Sequence, residues 1–397
     1  MKENKINFDR VINRRNTSCA RWDTMDAKYG EKDLIHLGVA DMDFRSPQAI
    51  IDAFSQIIEN GVFGYTDLTD SFYLAIQRWL KKQHEVEVAR EDIVFCPRIN
   101  MSSALAIESL TEVGDEVIIN TPAYGPLHNA ITKNGRQAIN SPLIFENEKY
   151  QINFKEMEEL ISPKTKMFIL CSPHNPVGRV WSKEELERIG EFCLKHDLFL
   201  FVDEIHSDIL AKGVVFTSVL KLSKEIRERI ILANSLTKTF NVPGVIVSYL
   251  IVENKEIRQK ICLEIDRLGI HNPTIFALAA VVAGYTKCDD WYKEMLKYID
   301  ANDAFTRKYF KKYFPEIRIL NREATYLLWM DCQGIGASDK DLEKWFIKEA
   351  RVAVYMGNTF GKEGEGYIRV NIASPRKTLE EAFERMRKVY HKLIKND

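Results

Sequence analysis

Lys238 follows a short apolar run and stands among small polar residues. The run covers residues 230–233 and leads into Ser235-Leu236-Thr237-Lys238. The run predicts a buried strand, and a lysine just past it would lie in a loop at the strand's C-terminal end, where open α/β sheets bind ligands. A lysine in a dry pocket there loses hydration, so its neutral amine becomes available as a nucleophile. If only this stretch is considered, the alternative is that Lys238 is an ordinary solvent-exposed lysine in a loop.

Two other apolar runs are also followed by polar side chains that could contact a cofactor. Residues 198–202 lead to Asp203, and residues 167–171 lead to a turn that contains Asn175 between two prolines. The Asp203 carboxylate would suit a protonated ring nitrogen of a cofactor, although a helix N-cap would use the same residue. The prolines fix a turn that either aims Asn175 inward or is an ordinary surface turn.

Arg369 lies in an alternating stretch near the C-terminus, Tyr367-Ile368-Arg369-Val370-Asn371. Alternation of this kind predicts a strand. A guanidinium can bind a carboxylate through two parallel hydrogen bonds. The stretch therefore predicts a carboxylate-binding arginine, with a cross-strand ion pair as the alternative.

These motifs, in this order and spacing, resemble the fold-type-I pyridoxal-phosphate enzymes of the aminotransferase class I/II superfamily. The resemblance is greatest to the cystathionine β-lyase and cysteine-S-conjugate β-lyase branch, which includes the MalY/PatB and cystalysin-like enzymes. It extends from Phe8 to Pro375. The stretches typical of that branch are Arg21-Trp22-Asp23, Ala40-Asp41-Met42-Asp43-Phe44, Phe63-Gly64-Tyr65-Thr66, His174-Asn175-Pro176, Gly178-Arg179-Val180-Trp181 and Asp203-Glu204-Ile205-His206.

The resemblance implies an α/β protein of aminotransferase fold type I. A mostly parallel central sheet would carry helices on both faces, and a smaller α+β domain would follow. The expected division is an N-terminal arm over residues 1–47 that joins the small domain, a large cofactor-binding domain over 48–285, and a small C-terminal domain over 286–397. The alternation of predicted strands and helices between residues 167 and 268 agrees with a parallel sheet.

The resemblance also assigns roles to residues around pyridoxal 5′-phosphate. Lys238 would form the Schiff base and act as general base, and Arg369 would bind the substrate carboxylate. The other expected cofactor contacts are Asp203 at the ring nitrogen, Asn175 at the phenolic oxygen, Tyr124 stacked on the ring, His206 beside it, and Ser235, Thr237, Ile99 and Asn100 at the phosphate. Tyr124 would also assist catalysis, and Asn175 would also contact the substrate.

Tyr65 is expected to reach the phosphate and the substrate in the active site of a neighbouring subunit. The resemblance therefore implies a homodimer with two-fold symmetry and shared active sites.

The sequence departs from the branch at the turn Pro97-Arg98-Ile99-Asn100. Relatives usually have glycine in place of Arg98, and small apolar residues in place of Ile99 and Asn100. Arg98 would either contact the phosphate or the substrate, or point to solvent. The sequence also lacks the second aromatic residue that relatives often have around Gly125 and the phenylalanine that they often have in place of Leu127, which predicts a wider or differently shaped substrate pocket.

The favoured function is carbon–sulfur β-elimination from cystathionine, cysteine or a cysteine S-conjugate, which gives a thiol, pyruvate and ammonia. Transaminases commonly have tyrosine in place of His206 and a phosphate-binding arginine in place of Ile246. An aminotransferase is the first alternative, and a non-catalytic regulator with the same fold is a remote one. His174 and His206 are expected to be structural residues that form hydrogen bonds.

Composition excludes several other classes of protein. The 397 residues carry a formal net charge of −1, which argues against a nucleic-acid or anionic-membrane partner. The polar N-terminus and the absence of a long apolar run predict a cytoplasmic protein. The seven cysteines show neither metal-ligand spacing nor a disulfide framework.

Local signals predict further elements. Ser46 is a plausible N-cap for a helix over 47–58, Tyr65 would lie in a loop over 61–69, and a helix is expected over 101–110.

Overall fold

The computed structural model describes residues 6–394, which form one large sheet, one small sheet and a two-stranded pair. The strands are β1 (Ile35–His36), β2 (Ile93–Cys96), β3 (Glu116–Thr121), β4 (Gln137–Glu146), β5 (Lys149–Ile152), β6 (Thr165–Cys171), β7 (Phe199–Asp203), β8 (Ile230–Asn234), β9 (Ser248–Ile251), β10 (Arg318–Ile319), β11 (Leu327–Asp331), β12 (Val352–Ala353), β13 (Tyr355–Met356) and β14 (Tyr367–Asn371).

The helices are distributed along the whole described chain. They are α1 (Met25–Tyr29), α2 (Gln48–Asn60), α3 (Asp70–His84), α4 (Ile99–Leu110), α5 (Gly125–Lys133), α6 (Phe154–Leu160), α7 (Lys183–Lys195), α8 (Lys224–Arg227), α9 (Leu236–Thr239), α10 (Lys255–Leu268), α11 (Ile275–Lys287), α12 (Asp289–Tyr313), α13 (Asp339–Lys344) and α14 (Arg376–Val389).

The large sheet has the strand order β2-β9-β8-β7-β6-β3-β4-β5. Its centre, from β8 to β4, is parallel, whereas β9 and β5 run antiparallel to their neighbours. The prediction of a mostly parallel sheet is therefore confirmed. Because parallel strands end at the same edge, this order brings the C-terminal ends of β6, β7 and β8 side by side.

Both faces of the large sheet are buried, which explains why its central strands read as continuous apolar runs. Successive residues of β6 alternate between two cores: Phe168 packs with the core that includes α3, α7 and α11, and Met167 packs with the core that includes α4, α5 and α10. Both side chains are fully buried. Truncating one of these large side chains to alanine would cost about 3–5 kcal/mol.

The small sheet has the order β10-β11-β14-β13 and is antiparallel throughout. The N-terminal arm contacts it at β14, where the Asn371 amide donates to the carbonyl of Leu37 at 2.7 Å, whereas β1 of the arm forms a separate parallel pair with β12. The arm is also fixed by Asn371, whose Nδ2 donates to the carbonyls of Val39 and Asp41 at 2.7 and 2.6 Å. These contacts fix the arm against the small sheet, while the domain boundaries at residues 47 and 285 remain a prediction.

Some local predictions were wrong. Lys238 lies in the one-turn helix α9 and not in a loop, since Ser235 caps that turn by accepting a hydrogen bond from the Thr237 amide. Ser46 does not cap α2, because its hydroxyl donates to the carbonyl of Asn241. Within residues 6–394, no helix is both long and apolar enough to cross a membrane.

Candidate active site

Lys238 projects from α9 at the C-terminal end of β8, and its ammonium nitrogen donates to the carbonyl of Ala40 in the arm at 2.5 Å. Burial lowers the pKa of Lys238 to about 8, even though Asp41 and Asp203 favour its charged form. Arg369 adds to the lowering. The lysine therefore holds a neutral amine at a lower pH than a solvated lysine does.

Asp203 ends β7 and is buried, with Oδ1 accepting a hydrogen bond from the Ile205 amide at 3.0 Å. Burial raises the pKa of this carboxyl to about 6. Among residues 6–394 it forms no ion pair. A carboxylate kept in this position is stabilised by a cation that enters the cavity.

Arg369, on β14, is fully buried, and it forms no ion pair with a carboxylate of the described residues. Its guanidinium donates to Oδ1 of Asn175 at 2.9 Å and to the carbonyl of Gly38 at 3.0 Å, while Nε has no partner within residues 6–394. The rings of Tyr355 and Phe360 lie 5.0 and 4.7 Å from it. The alternative of a cross-strand ion pair is thus excluded within the described chain, and the guanidinium is held ready for a carboxylate.

Two connected spaces surround these groups. The inner cavity, of about 140 Å³, is lined by Lys238, Asp203, Asn175 and His206, among others. The outer cleft, of about 980 Å³, is lined by Lys238, Arg369 and residues of the arm. Because Lys238 faces both spaces, a ligand in the inner cavity and a substrate in the outer cleft would meet at its amine.

The remaining predicted residues lie mostly around the inner cavity. Tyr124, Ser235, Thr237, Ile99 and Asn100 all line it. Ile99 and Asn100 begin α4, so their amide groups lie at a helix N-terminus, where anions bind well. Burial raises the pKa of the Tyr124 hydroxyl, so this side chain is neutral at physiological pH.

The two histidines show different surroundings. His174 lies within 2.8 Å of the carbonyl of Pro122 through Nε2, and burial lowers its pKa to about 4. Burial, together with the charges of Lys238 and Arg369, lowers the pKa of His206 to about 3. The Nδ1 atom of His206 is buried and has no partner within residues 6–394. Both rings are therefore neutral at physiological pH.

Tyr65 is the predicted site residue that the structure brings neither to the inner cavity nor to the outer cleft. It lies in the segment between α2 and α3, and its side chain is completely exposed. Val62 and Phe63 of the same segment are 69% and 61% exposed. Among residues 6–394 nothing covers the side chain of Tyr65, so it would have to reach a site in another molecule.

Several residues that shape the site were not predicted from the sequence. Tyr326 donates to the same Ala40 carbonyl as Lys238, at 2.9 Å, and Tyr355 flanks Arg369. Gly38 was a possible signal, because a Cβ there would lie 2.8 Å from a ring carbon of Tyr355. The reason for a glycine at this position becomes clear only when the arm is seen against β13.

The inner cavity fits pyridoxal phosphate by the chemistry of its donors. It combines the amine of Lys238, the unpaired carboxylate of Asp203, the partnerless Nδ1 of His206 and a helix N-terminus that begins at Ile99. These groups match, in turn, an aldehyde, a pyridinium nitrogen, a polar ring substituent and a phosphate.

The family model described as aminotransferase class I and II matches residues 32–386. The curated protein cystathionine beta-lyase PatB of Bacillus subtilis (strain 168) is 33% identical over 383 residues, which is 96% of this chain and 99% of that protein.

Two solved structures are also similar. Cystalysin from Treponema denticola, which contains a pyridoxal 5′-phosphate cofactor, superposes with a TM-score of 0.95 at 31% identity, over 98% of this chain and 99% of that chain. A PLP-bound putative aminotransferase from Clostridium difficile 630 superposes with a TM-score of 0.94 at 36% identity, over 96% and 99%.

Proposed function

Because this chain belongs to the aminotransferase class I and II family, we propose that it is a pyridoxal-phosphate-dependent carbon–sulfur β-lyase. Its substrates would be cystathionine, cysteine or cysteine S-conjugates, which it would cleave by β-elimination to a thiol, pyruvate and ammonia. The observation that carries the proposal is the position of Lys238, a half-buried side chain whose amine has a lowered pKa and lies where the inner cavity meets the cleft that contains Arg369.

The cofactor, when bound, supplies an electron sink for negative charge at the substrate Cα. Asp203 would hold the ring nitrogen in its protonated form, because a buried carboxylate gains most from an adjacent cation. Asn175 would donate to the phenolic oxygen through its amide nitrogen, since its Oδ1 already accepts from Arg369.

The chain's own residues divide the remaining tasks. Arg369 would bind the substrate α-carboxylate through its guanidinium, which Asn175 and Gly38 already orient. Lys238 would take the proton from the substrate Cα as general base, and its lowered pKa suits that task near neutral pH. The Ala40 carbonyl, which contacts both Lys238 and Tyr326, would hold the amine near the substrate between proton transfers.

We include a homodimer with shared active sites in this proposal. The exposed segment with Val62, Phe63 and Tyr65 supports it, because contiguous exposed apolar side chains mark contact surfaces. A cytoplasmic location belongs to the same proposal, and it is supported by the seven cysteines, none of which forms a disulfide.

The proposal is tested by pyruvate release from L-cystathionine in the absence of keto acids, while the absorbance of the bound cofactor is followed. Sustained pyruvate formation with an unchanged lysine-linked chromophore is the expected result. A single turnover that converts the cofactor to its amine form, reversed by a keto acid, would instead identify an aminotransferase. The Lys238→Ala variant serves as the control, since it should form no lysine-linked chromophore.

A further inference from the structure

Arg98 is a cation on the wall of the inner cavity that the proposed mechanism does not use. It immediately precedes α4, and it lines the inner cavity together with Ile99 and Asn100. Its side chain is exposed, and its guanidinium forms no hydrogen bond or ion pair with another residue of 6–394. Its backbone is nevertheless fixed, because its carbonyl accepts from the amide and the hydroxyl of Ser102 at 2.8 and 3.2 Å.

A charge balance of the inner cavity suggests the role of this cation. Among the described residues that line the cavity, the charged or readily charged side chains are Arg98, Lys238 and Asp203, because the lowered pKa of His206 keeps that ring neutral. With the cofactor bound, Asp203 would be matched by a protonated ring nitrogen, and the amine of Lys238 would serve for covalent attachment. A phosphate of about −1.5 to −2 charge would then have Arg98 as its remaining cation.

The position of Arg98 within the cavity agrees with that balance. Arg98 borders the outer cleft as well as the inner cavity, and in the inner cavity it directly precedes Ile99 and Asn100 at the start of α4. Its own neighbours are the first amide groups of α4, which also favour an anion. The residue at position 246, which also lines the cavity, is an uncharged isoleucine.

From these observations, we propose that Arg98 binds the phosphate group of the cofactor and supplies its counter-charge. The inference rests on the proposed function, since it assumes that pyridoxal phosphate occupies the inner cavity. It makes Arg98 a cofactor-binding residue, in the turn Pro97-Arg98-Ile99-Asn100. Arg98 is not proposed to take part in the chemical step.

The test compares two ligands that differ only in the phosphate. Pyridoxal phosphate and pyridoxal are titrated into the full-length protein after removal of its cofactor, and the lysine-linked chromophore reports binding. The variants are Arg98→Gln and, as the charge-retaining control, Arg98→Lys. Because the side chain is exposed, both variants should keep the thermal unfolding midpoint of the wild type.

We expect Arg98→Gln to raise the Kd for pyridoxal phosphate about tenfold or more, as loss of a charge-assisted contact does. Arg98→Lys should show a smaller increase, and the Kd for pyridoxal should be the same in all three proteins. An equal increase for both ligands, or no increase for either, would overturn the inference. It would also be overturned if Arg98→Gln left both Kd values unchanged and raised KM only for substrates with an anionic sulfur substituent.

The two proposals fail in different ways. If the wild-type protein bound neither ligand at Lys238, the proposed function itself would be wrong. If the wild type bound pyridoxal phosphate and Arg98→Gln bound it equally well, only the role of Arg98 would be wrong.

Discussion

At the scale of single residues, burial determines the acid–base properties of the site. It raises the pKa of Asp203 to about 6, lowers that of Lys238 to about 8 and lowers that of Arg369 to about 10. In each case burial disfavours the charged form. The charged forms of these three groups therefore destabilise the folded protein when no cofactor is bound. Each group is stabilised by a ligand that brings the opposite charge or that reacts with its neutral form.

Asp203→Asn should stabilise the cofactor-free protein above pH 6. The folded-state pKa of Asp203 is higher than the usual value of 3.8, so ionisation destabilises the fold by up to about 3 kcal/mol. That penalty is full above the folded pKa of about 6 and disappears as the pH falls below 3.8. Urea unfolding at pH 8 and pH 4 measures the difference.

The same variant should lose affinity for pyridoxal phosphate, since the ring nitrogen loses its counter-charge. A stability gain of equal size at both pH values would contradict the assignment, because an uncharged side chain at position 203 should matter only where the aspartate is ionised.

The reaction of cofactor-free protein with pyridoxal phosphate should become faster with rising pH and level off above about pH 8. The reason is the pKa of Lys238, which is about 8, because only the neutral amine attacks the aldehyde. Stopped-flow absorbance measures the rate. A rate that continued to rise up to pH 10, as for a solvated lysine, would show that the amine is not held in a dry site.

At the scale of elements, a buried network anchors the helix that carries Lys238. Asp208 accepts hydrogen bonds from Trp79 and His84 of α3, at 3.0 and 2.8 Å, and from Thr239 of α9 at 2.7 Å. Burial opposes a charge on His84, but the hydrogen bond and the charge of Asp208 together raise its pKa. The network ties α9 to α3 through side chains that do not line the inner cavity.

Thr239→Val should reduce kcat more than it changes KM, because it frees α9 from Asp208 while both other hydrogen bonds to Asp208 remain. Loss of one buried hydrogen bond should cost about 1 kcal/mol of stability. Steady-state kinetics and thermal unfolding are the measurements, and Thr239→Ser is the matched control that keeps the hydroxyl. Equal kcat values for the valine and serine variants would exclude a positioning role for this contact.

The sequence predicted correctly those strands whose pattern of apolar residues matches their burial in the folded protein. The strands that end at Cys171, Asp203 and Asn234 were found because both faces of each are buried, which leaves an uninterrupted apolar run. The residues that follow those strands were therefore placed at one edge without knowledge of the fold. Their roles in cofactor binding came from the resemblance and remain predictions.

The features that could not be predicted depend on contacts between residues that lie far apart in the sequence. Nothing in the arm indicates that the carbonyl of Ala40 meets Lys238, since a backbone atom leaves no trace in residue type. The separation of β12 from β13 also had no local signal, because β12 pairs with the arm and β13 pairs with β14. Ser46 has the residue type of an N-cap, but its hydroxyl is used by Asn241.

At the scale of the whole molecule, the shared site predicts complementation between two inactive variants. Lys238→Ala lacks the amine, and Tyr65→Ala lacks the exposed side chain that would act in the partner. A mixed dimer would contain one site with both residues intact. Random mixing makes half of the dimers mixed, so co-expression should restore roughly a quarter of wild-type activity, as two-fold symmetry requires.

Each variant expressed alone gives the baseline for pyruvate release, and size-exclusion chromatography checks that dimers form. Activity no higher than the average of the two separate variants would show that Tyr65 does not act across subunits.

The pairing of the arm with the small sheet also has a consequence during synthesis on the ribosome. Gly38 and Arg369, which contact each other in the site, are separated by 331 residues. At about 5–20 residues per second, the arm would wait roughly 15–65 s for its partner. The large sheet can assemble in that interval, but the substrate site cannot. A nascent chain that stalls before β14 would therefore leave the arm without its partner strand, which makes it a substrate for chaperones or proteases before it can become an enzyme.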